Sequence, residues 1–583
     1  MPPQLSIDWG RTLIVTRSTP TCQVVVEPTM WPGSAVRAPQ LHWLRELGEE
    51  ATPVFWQSWF VYPHTGVAQL SPGGAGGGWD FSQITPLLAD VLNATAGREL
   101  ALQFGTVPNW MVATEPGGSV PRPAGDYGPG GGGAYNDTLV WGYRGATPAT
   151  FVDNSAVGGY FADLMAYYTQ GGFVDRRTGE RHDSGFHWDV PWFEFGNEME
   201  YGQSPALYTA QADAVHAAVA AAAPGTRFLG LGLQQGNFLQ GCATGAGTGA
   251  TPALNCTLNA SYLVHFLNQT NHAPGAPWPP AAIDYHFYAS PAARADVATY
   301  YDADGLRRGL FDQADAFAAH VRSLEAVRRR LSPGTKTFLK ELGIILPGGD
   351  NHDPSVVEPI PGAFWAASAA YWAYLYALLA AEGVDVVSMS QLAGAPPRGC
   401  TMGGGGAICN GTSVPGCVCR GPNFPSVTML DWANGGRPTA RWYLLKMLVD
   451  ALGNRSKRLV ATSFISSASS SASSSASSSA SSANGEEELR FLFAQAFEVT
   501  EKDGTTKARK VLLLVNKGAA PQTVGLPSTT TTTTAEALPL FQCAQSIDGD
   551  DSWRAPVRTP IAPGTHTLTS QQFGVTILTV EAC

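Results

Sequence analysis

Residues 190–202 read VPWFEFGNEMEYG. An apolar and aromatic run, 190–195, stops at Gly196 and delivers Asn197 and Glu198 in succession. The run has the length of a buried strand. The residues after it decide the kind of sheet it belongs to. Ser204-Pro205 has the pattern of an N-cap and first helical residue, an Ala-rich body runs to Ala223, and Pro224-Gly225 closes it. TRFLGLGL (226–233), another apolar run, comes next. Strand, helix and strand in close succession are the unit of a parallel sheet covered by helices.

The same alternation extends in both directions. ELALQF (99–104), AAIDYHFY (281–288), KTFLKELGII (336–345) and VDVVSMS (384–390) read as further strands. Between them, 311–331 carries apolar residues three and four apart and a basic last turn before Pro333-Gly334. With two weaker strands near 22–27 and 53–60, the expected fold class is α/β, a (β/α)₈ TIM barrel over residues 29–452. A doubly wound open sheet is the alternative, but no Gly-rich phosphate loop follows an early strand. Past residue 452 the texture changes to alternating runs, LRFLFAQAF (489–497), KVLLLVN (510–516) and FGVTILTVEA (573–582). Residues 453–583 are therefore expected to form an attached β-sandwich, and 1–28 to supply N-terminal strands to it. The Ser/Ala tract 466–484 cannot bury a core and reads as a disordered spacer.

Composition narrows the partners. At 583 residues the chain exceeds one average domain, and 44% of it is hydrophobic. A net charge of −11, with no basic stripe interleaved with aromatics, argues against nucleic acid. The nineteen uncharged residues 363–381 are long enough to cross a bilayer, but Tyr371, Tyr374 and Tyr376 lie among them and a buried strand follows, so no membrane span is expected. The nine cysteines read mostly as loop-stapling disulfides, with buried free thiols as the other reading. Cys242–Cys256, a bridge within Cys400, Cys409, Cys417 and Cys419, and the late pair Cys543 and Cys583 leave Cys22 over. Seven Asn-x-Ser/Thr sequons favour the secretory pathway, although MPPQLSIDWG is not a signal peptide. Oligomeric state is not legible.

If 190–198 is a barrel strand, Glu198 stands at its C-terminal end, where barrel enzymes keep their chemistry. Glu341 ends another strand, and alternation places it on one face with Thr337 and Leu339. The same parity puts His286 and Tyr288 together, away from Tyr285, and makes Glu194 a barrel-interior hydrogen-bonding group. Two carboxyls, an Asn, a His and a Tyr over one barrel mouth are what glycoside hydrolysis needs, one carboxyl as proton donor and the other as nucleophile.

WFEFGNE (192–198) resembles the strand-four motif of barrel glycosidases whose acid/base is the Glu of an Asn-Glu pair, and FLKELG (338–343) resembles their strand-seven nucleophile. WFVYPHTGVAQL (59–70), WDFSQITPLLADVLNATAG (79–97), VPNWM (107–111), IDYHFYASP (283–291) and FPSVTMLDWANGGRPTARWYLLKMLVDALG (424–453) extend the likeness to glycoside hydrolase family 39, which includes β-xylosidases and α-L-iduronidases. The resemblance implies a retaining glycosidase without cofactor or metal, acting on carbohydrate. Glu198 becomes acid/base and Glu341 nucleophile, Asn197 bonds the sugar 2-hydroxyl, and His286 and Tyr288 line the same subsite. Trp59, Trp110 and Gln391 are further sugar-facing positions. Two departures stand out: Met199 follows Asn-Glu where the family has Pro, and VFWQSW (54–59) lacks the Arg that many members hold below the nucleophile. A uronic-acid glycosidase, a carbohydrate-binding protein on a decayed barrel and a matrix glycoprotein are the rival readings.

Overall fold

The computed structural model describes residues 2–26, 36–58, 84–104, 153–198, 204–233, 260–289, 310–345, 362–393, 426–465, 491–500 and 508–580, short gaps within these apart, and a few positions besides. Eight parallel strands form a closed barrel. They are β1 Thr19–Val26, β2 Val54–Ser58, β3 Leu100–Phe104, β4 Trp192–Phe195, β5 Arg227–Leu233, β6 Ala282–Tyr285 (continued as Phe287–Ala289), β7 Lys336–Ile344 and β8 Val386–Met389. Each pairs with its sequence neighbours, β8 pairs with β1, and the β6–β7 ladder completes the ring.

A helix follows every strand: α1 Arg37–Glu46, α2 Ile84–Ala94, α3 Asn154–Thr169, α4 Pro205–Ala222, α5 Ser261–Phe266, α6 Asp312–Leu331, α7 Gly362–Glu382 and α8 Ala440–Ala451. Their starts are set locally. Asp153 accepts the Ser155 N–H at the start of α3, and Ser204 accepts the Leu207 N–H ahead of Pro205 at the start of α4. Helix α7 contains the uncharged run, and 89% of its membrane-length window is buried. It is enclosed from two sides: Tyr376 donates to the Ser18 carbonyl beside β1, and Tyr374 packs edge-on against Phe493 of the sandwich. Two-sided burial accounts for its apolar composition.

A second, nine-stranded sheet is built on Gln4–Thr16, Lys457–Ile465, Leu492–Val499, Arg509–Asn516 and Val575–Thr579, with four shorter strands. Alternation divides it cleanly. Leu512 and Leu514 point into the sandwich's own core with Leu5, Val460 and Leu578, whereas Val511, Leu513 and Val515 join the core shared with the barrel helices. The expected N-terminal unit 1–28 is corrected here. Gln4–Thr16 joins the sandwich, but Thr19–Val26 is a barrel strand, paired on one side with β8 and on the other with β2. A strand flanked on both edges and buried on both faces belongs to the barrel, so the boundary falls at Arg17-Ser18. The Ser/Ala tract lies outside the described residues.

Inside the barrel the lining changes with height. Phe55, Ala101, Trp192, Leu229, Ala282, Phe338 and Val386 make an apolar floor. Two residues further along their strands stand Gln57, Gln103, Glu194, Asp284 and Lys340, all buried. This floor seals the polar layer from below. Phe338, with its ring centroid 4.9 Å from that of Trp192 and 6.2 Å from that of Phe55, is central to it. Phe338→Ala is expected to cost about 3–5 kcal/mol, read as a lower urea midpoint at unchanged m-value.

Candidate active site

Strand β4 ends by turning its last polar residues into the barrel. Gly196 (φ 74°) and Glu198 (φ 50°) both lie in the left-handed region, which is uncommon for a residue with a side chain. The turn is held by neighbouring strands, since Gly196 N–H donates to the Phe104 carbonyl at 3.1 Å and Glu198 N–H to the Gly232 carbonyl at 2.9 Å. Glycine at 232 leaves room for Glu194 beside this turn, because a Cβ there would meet Glu194 Oε1 at 2.7 Å.

Glu341 arrives by a different device. Thr337 donates to Glu325 of α6 and Leu339 packs in the helix-facing core, so both point out of the barrel. Regular alternation would send Glu341 out with them, so the expectation that all three share one face is corrected here. The β7–β8 register instead shifts between Leu339 and Leu342. That irregularity lets Lys340 and Glu341 both point inward before Leu342 faces outward again.

A chain of amides runs from Glu341 to Asn197, the residue before Glu198. Gln23 of β1 donates to Glu341 Oε1 at 2.7 Å and also to Gln57 Oε1. Gln57 of β2 and Gln103 of β3 both donate to Asn197 Oδ1 at 3.0 Å. The second Glu341 oxygen accepts from Tyr288 OH at 2.9 Å, and Ser390 Oγ lies 2.7 Å from that hydroxyl. Arg441 of α8, fully buried, holds the end of β8 by donating to the Ser390 carbonyl at 2.9 Å and to those of Ser426 and Val427.

His286 lies between the carboxyls. Its Nδ1 is 2.8 Å from Glu198 Oε1 and 3.4 Å from Glu341 Oε2, and its Nε2 is 3.1 Å from Asp284 Oδ2. Burial works against a charged ring, but Glu341 and Asp284 outweigh it and hold its pKa well above the ordinary histidine range. Asp284 in turn accepts the Lys340 backbone N–H at 2.8 Å and faces Lys340 Nζ at 3.3 Å, while Nζ reaches both Glu194 oxygens at 2.9 and 3.0 Å. Burial opposes the Lys340 charge, yet Glu194 and Asp284 more than offset it and raise its pKa. Glu198 is raised as well, by burial first; His286 pulls it down and Glu341 pushes it up.

One oxygen from each of Glu198 and Glu341 and a ring nitrogen of His286 all lie within 4.8 Å of one another, a spacing that a metal ion could bridge. An imidazolium, however, has hydrogen on both nitrogens and no lone pair to offer. Glu198 Oε2, Asn197 Nδ2 and Gln391 Oε1 are buried without a hydrogen-bond partner.

Among the expected site residues, the structure brings together Glu198, Glu341, Asn197, His286 and Tyr288. Gln391 is buried just past β8, its backbone bridging to Val427 and Met429. Trp59 and Trp110, the Cys242–Cys256 pair and the Cys400–Cys419 group lie outside the described residues, and Cys22 is a buried free thiol. Sequence reasoning does not reach Gln23, Gln57, Gln103, Asp284, Lys340, Ser390 or Arg441. The available signal is a lone Gln inside each of three successive apolar runs: TCQVVV (21–26), VFWQS (54–58) and LALQF (100–104).

No family model and no curated protein matches the chain. Solved structures do match along nearly its whole length. A GH51 arabinofuranosidase from Xanthomonas axonopodis pv. citri superposes with TM-score 0.54 at 10% identity, covering 99% of both chains. An alpha-L-arabinofuranosidase from Thermotoga maritima gives 0.52 at 10% identity, again 99% of both. A monomeric beta-xylosidase from Caulobacter crescentus CB15 gives 0.51 at 13% identity, covering 99% of this chain and 98% of that one. At such identities the likeness is one of fold: a (β/α)₈ barrel with an attached β-sheet domain, an architecture that these neighbours use as glycoside hydrolases.

The Lys340 ammonium is fully enclosed with its two carboxylates, so removing it strands Glu194 and leaves Asp284 with His286 alone. Lys340→Met is expected to destabilise the protein by about 3–5 kcal/mol. Adding Glu194→Gln should recover part of that loss, and a double-mutant cycle in urea measures the coupling.

Proposed function

We propose that this chain is a retaining glycoside hydrolase of the family-39 type, cleaving β-xylosides by double displacement. The observation that carries the reading is the facing pair. Glu198 and Glu341 present oxygens within 4.8 Å of each other, closer than the roughly 6.5–9.5 Å left for a water in inverting enzymes and in keeping with the about 5–5.5 Å of retaining ones. Their surroundings divide the roles. Among the described residues, Glu341 faces donors: Gln23, Tyr288 and the nearby His286. That suits a carboxylate nucleophile. Glu198 is pushed toward its protonated form, and its Oε2 is free to carry the proton.

Glu341 attacks the anomeric carbon while the Glu198 O–H protonates the departing glycosidic oxygen, giving a glycosyl ester on Glu341. Water then gives a proton to the Glu198 carboxylate and attacks the same carbon, and the ester oxygen leaves. Asn197, its carbonyl held by two glutamines, turns Nδ2 toward a sugar hydroxyl. Gln391 Oε1 accepts from another. A binding protein on a decayed barrel would need neither carboxylate. A uronic acid as substrate would call for a further cation at the mouth, and among the described residues Lys340 and His286 are already committed to carboxylates. Secretory export fits the sequons and Cys543, which is disulfide-bonded.

Glu341→Ala should abolish turnover on every aryl glycoside. Glu198→Ala should spare the first step for substrates with good leaving groups and slow the second by about 10²–10⁴-fold. Azide should restore that step and yield a glycosyl azide of retained configuration, identified by NMR. An inverted product, or an active Glu341→Ala, overturns the assignment. Because Glu198 must carry its proton and its pKa is raised, kcat/KM should hold up past the ordinary carboxylate range and fall as pH rises through the Glu198 value.

A further inference from the structure

We propose that Asp284 and Lys340 act as positioning residues that fix His286 as a cation whose Nδ1–H is shared between Glu198 and Glu341, so that one positive charge serves whichever carboxylate is ionised. The inference rests on the double-displacement reading above and concerns how the protein manages charge during it.

The geometry leaves the ring little choice. A neutral imidazole has one N–H and one lone pair. Here both nitrogens face carboxylate oxygens, Nδ1 those of Glu198 and Glu341 and Nε2 that of Asp284, and the ring is wholly buried. A neutral ring with its hydrogen on Nε2 would need Glu198 to aim its proton back at Nδ1, away from a leaving group, and would turn the same lone pair toward the Glu341 carboxylate at 3.4 Å. Only the imidazolium donates in both directions. Asp284 is anchored as its counter-ion by the Lys340 backbone N–H and ammonium, and that ammonium is anchored by Glu194. Burial raises the Asp284 pKa, but Lys340 and His286 prevail and hold it below the usual range. Glu194, Lys340, Asp284 and His286 thus alternate in sign along a buried row ending at the two carboxyls. Among the described residues, Tyr288, which donates to Glu341, and Arg441, which bonds the Ser390 carbonyl, are the other titratable groups at this end.

The reaction moves one negative charge across this row. Before it begins, Glu341 is the carboxylate and Glu198 carries a proton. When the ester forms, Glu341 loses its charge to the new C–O bond and Glu198, its proton given to the leaving oxygen, becomes the carboxylate. Hydrolysis of the ester reverses both changes. The charge of the pair is the same throughout and only its location alternates. A proton donor 2.8 Å from one carboxyl and 3.4 Å from the other can follow it by a small tilt of a fixed ring. Asp284 and Lys340 touch no substrate in this scheme.

The test has two arms. In the first, ¹⁵N-histidine NMR of the wild-type protein is followed with pH, the His286 signals being those lost in His286→Gln. Two protonated ring nitrogens persisting above pH 8 are expected; a neutral His286 at pH 7 overturns the inference. In the second, the pH profile of kcat/KM on an aryl glycoside is compared with that of Asp284→Asn, which keeps an acceptor for Nε2–H and removes the charge. Both limbs should move to higher pH, by about one unit, because a neutral ring no longer favours either carboxylate. A uniform loss of rate with unmoved limbs marks a merely structural role and also overturns the inference. Should Asp284→Asn not fold, the wild-type titration decides alone. The two readings fail separately: no hydrolysis of any glycoside sinks the proposed function, whereas a neutral His286 in an active enzyme sinks only this inference.

Discussion

A lysine ammonium sealed inside a barrel is the constraint on which the rest of the interior depends. Lys340 has no exposure to solvent, and an ammonium taken out of water without partners would lose its proton or the fold. It keeps both because Glu194 grips it with two oxygens from β4 and Asp284 faces it from β6. Those two carboxylates are then spoken for. The Asp284 oxygen that faces the ammonium also faces His286 Nε2, and His286 has a nitrogen left over for the mouth. Each charge is compensated by the next, and the row ends where the barrel opens.

The break in β7 makes this arrangement compatible with a second carboxyl. In an unbroken strand Lys340 and Glu341 would face opposite sides, and a barrel could have the buried cation or the inward Glu341 on that strand, not both. The register shift between Leu339 and Leu342 gives both. It also puts a positive charge one residue from Glu341, on the strand that carries it. Gln57 of VFWQSW passes a hydrogen bond to Asn197, and the buried ammonium of this interior stands on β7.

The barrel was legible because parallel strands buried on both faces read as uninterrupted apolar runs, and six of them are long enough to stand out. β1 was hardest to place, since TCQVVV (21–26) comes so soon after a sandwich strand that the two read as one segment. The ends of β4 and β7 could be picked out as carboxyl-bearing because strand ends are where the apolar run stops. The layer below them could not. A Gln or Lys inside an apolar strand reads as outward-facing, and only the closed ring makes the inward face accept it. The alternation argument for Glu341 reached the right face through a premise the strand does not obey, because a bulge adds a residue without leaving a mark in the local composition.

Polar satisfaction separates the charged row from the mouth. Lys340, Asp284 and His286 spend their hydrogen-bonding capacity on one another, which rigidifies them. At the rim the pattern stops: Glu198 Oε2, Asn197 Nδ2 and Gln391 Oε1 are buried and unpartnered. Among the described residues nothing meets these three atoms, and a buried polar atom left wholly without a partner costs about 1–3 kcal/mol. The set contains a donor, an acceptor and a carboxyl oxygen able to be either. Apolar ligands can satisfy none of them, and a ligand that only donates or only accepts leaves at least one unmet. A ring bearing hydroxyl groups, each donor and acceptor at once, can meet all three, and the ordered row beneath holds the rim groups still while it does so.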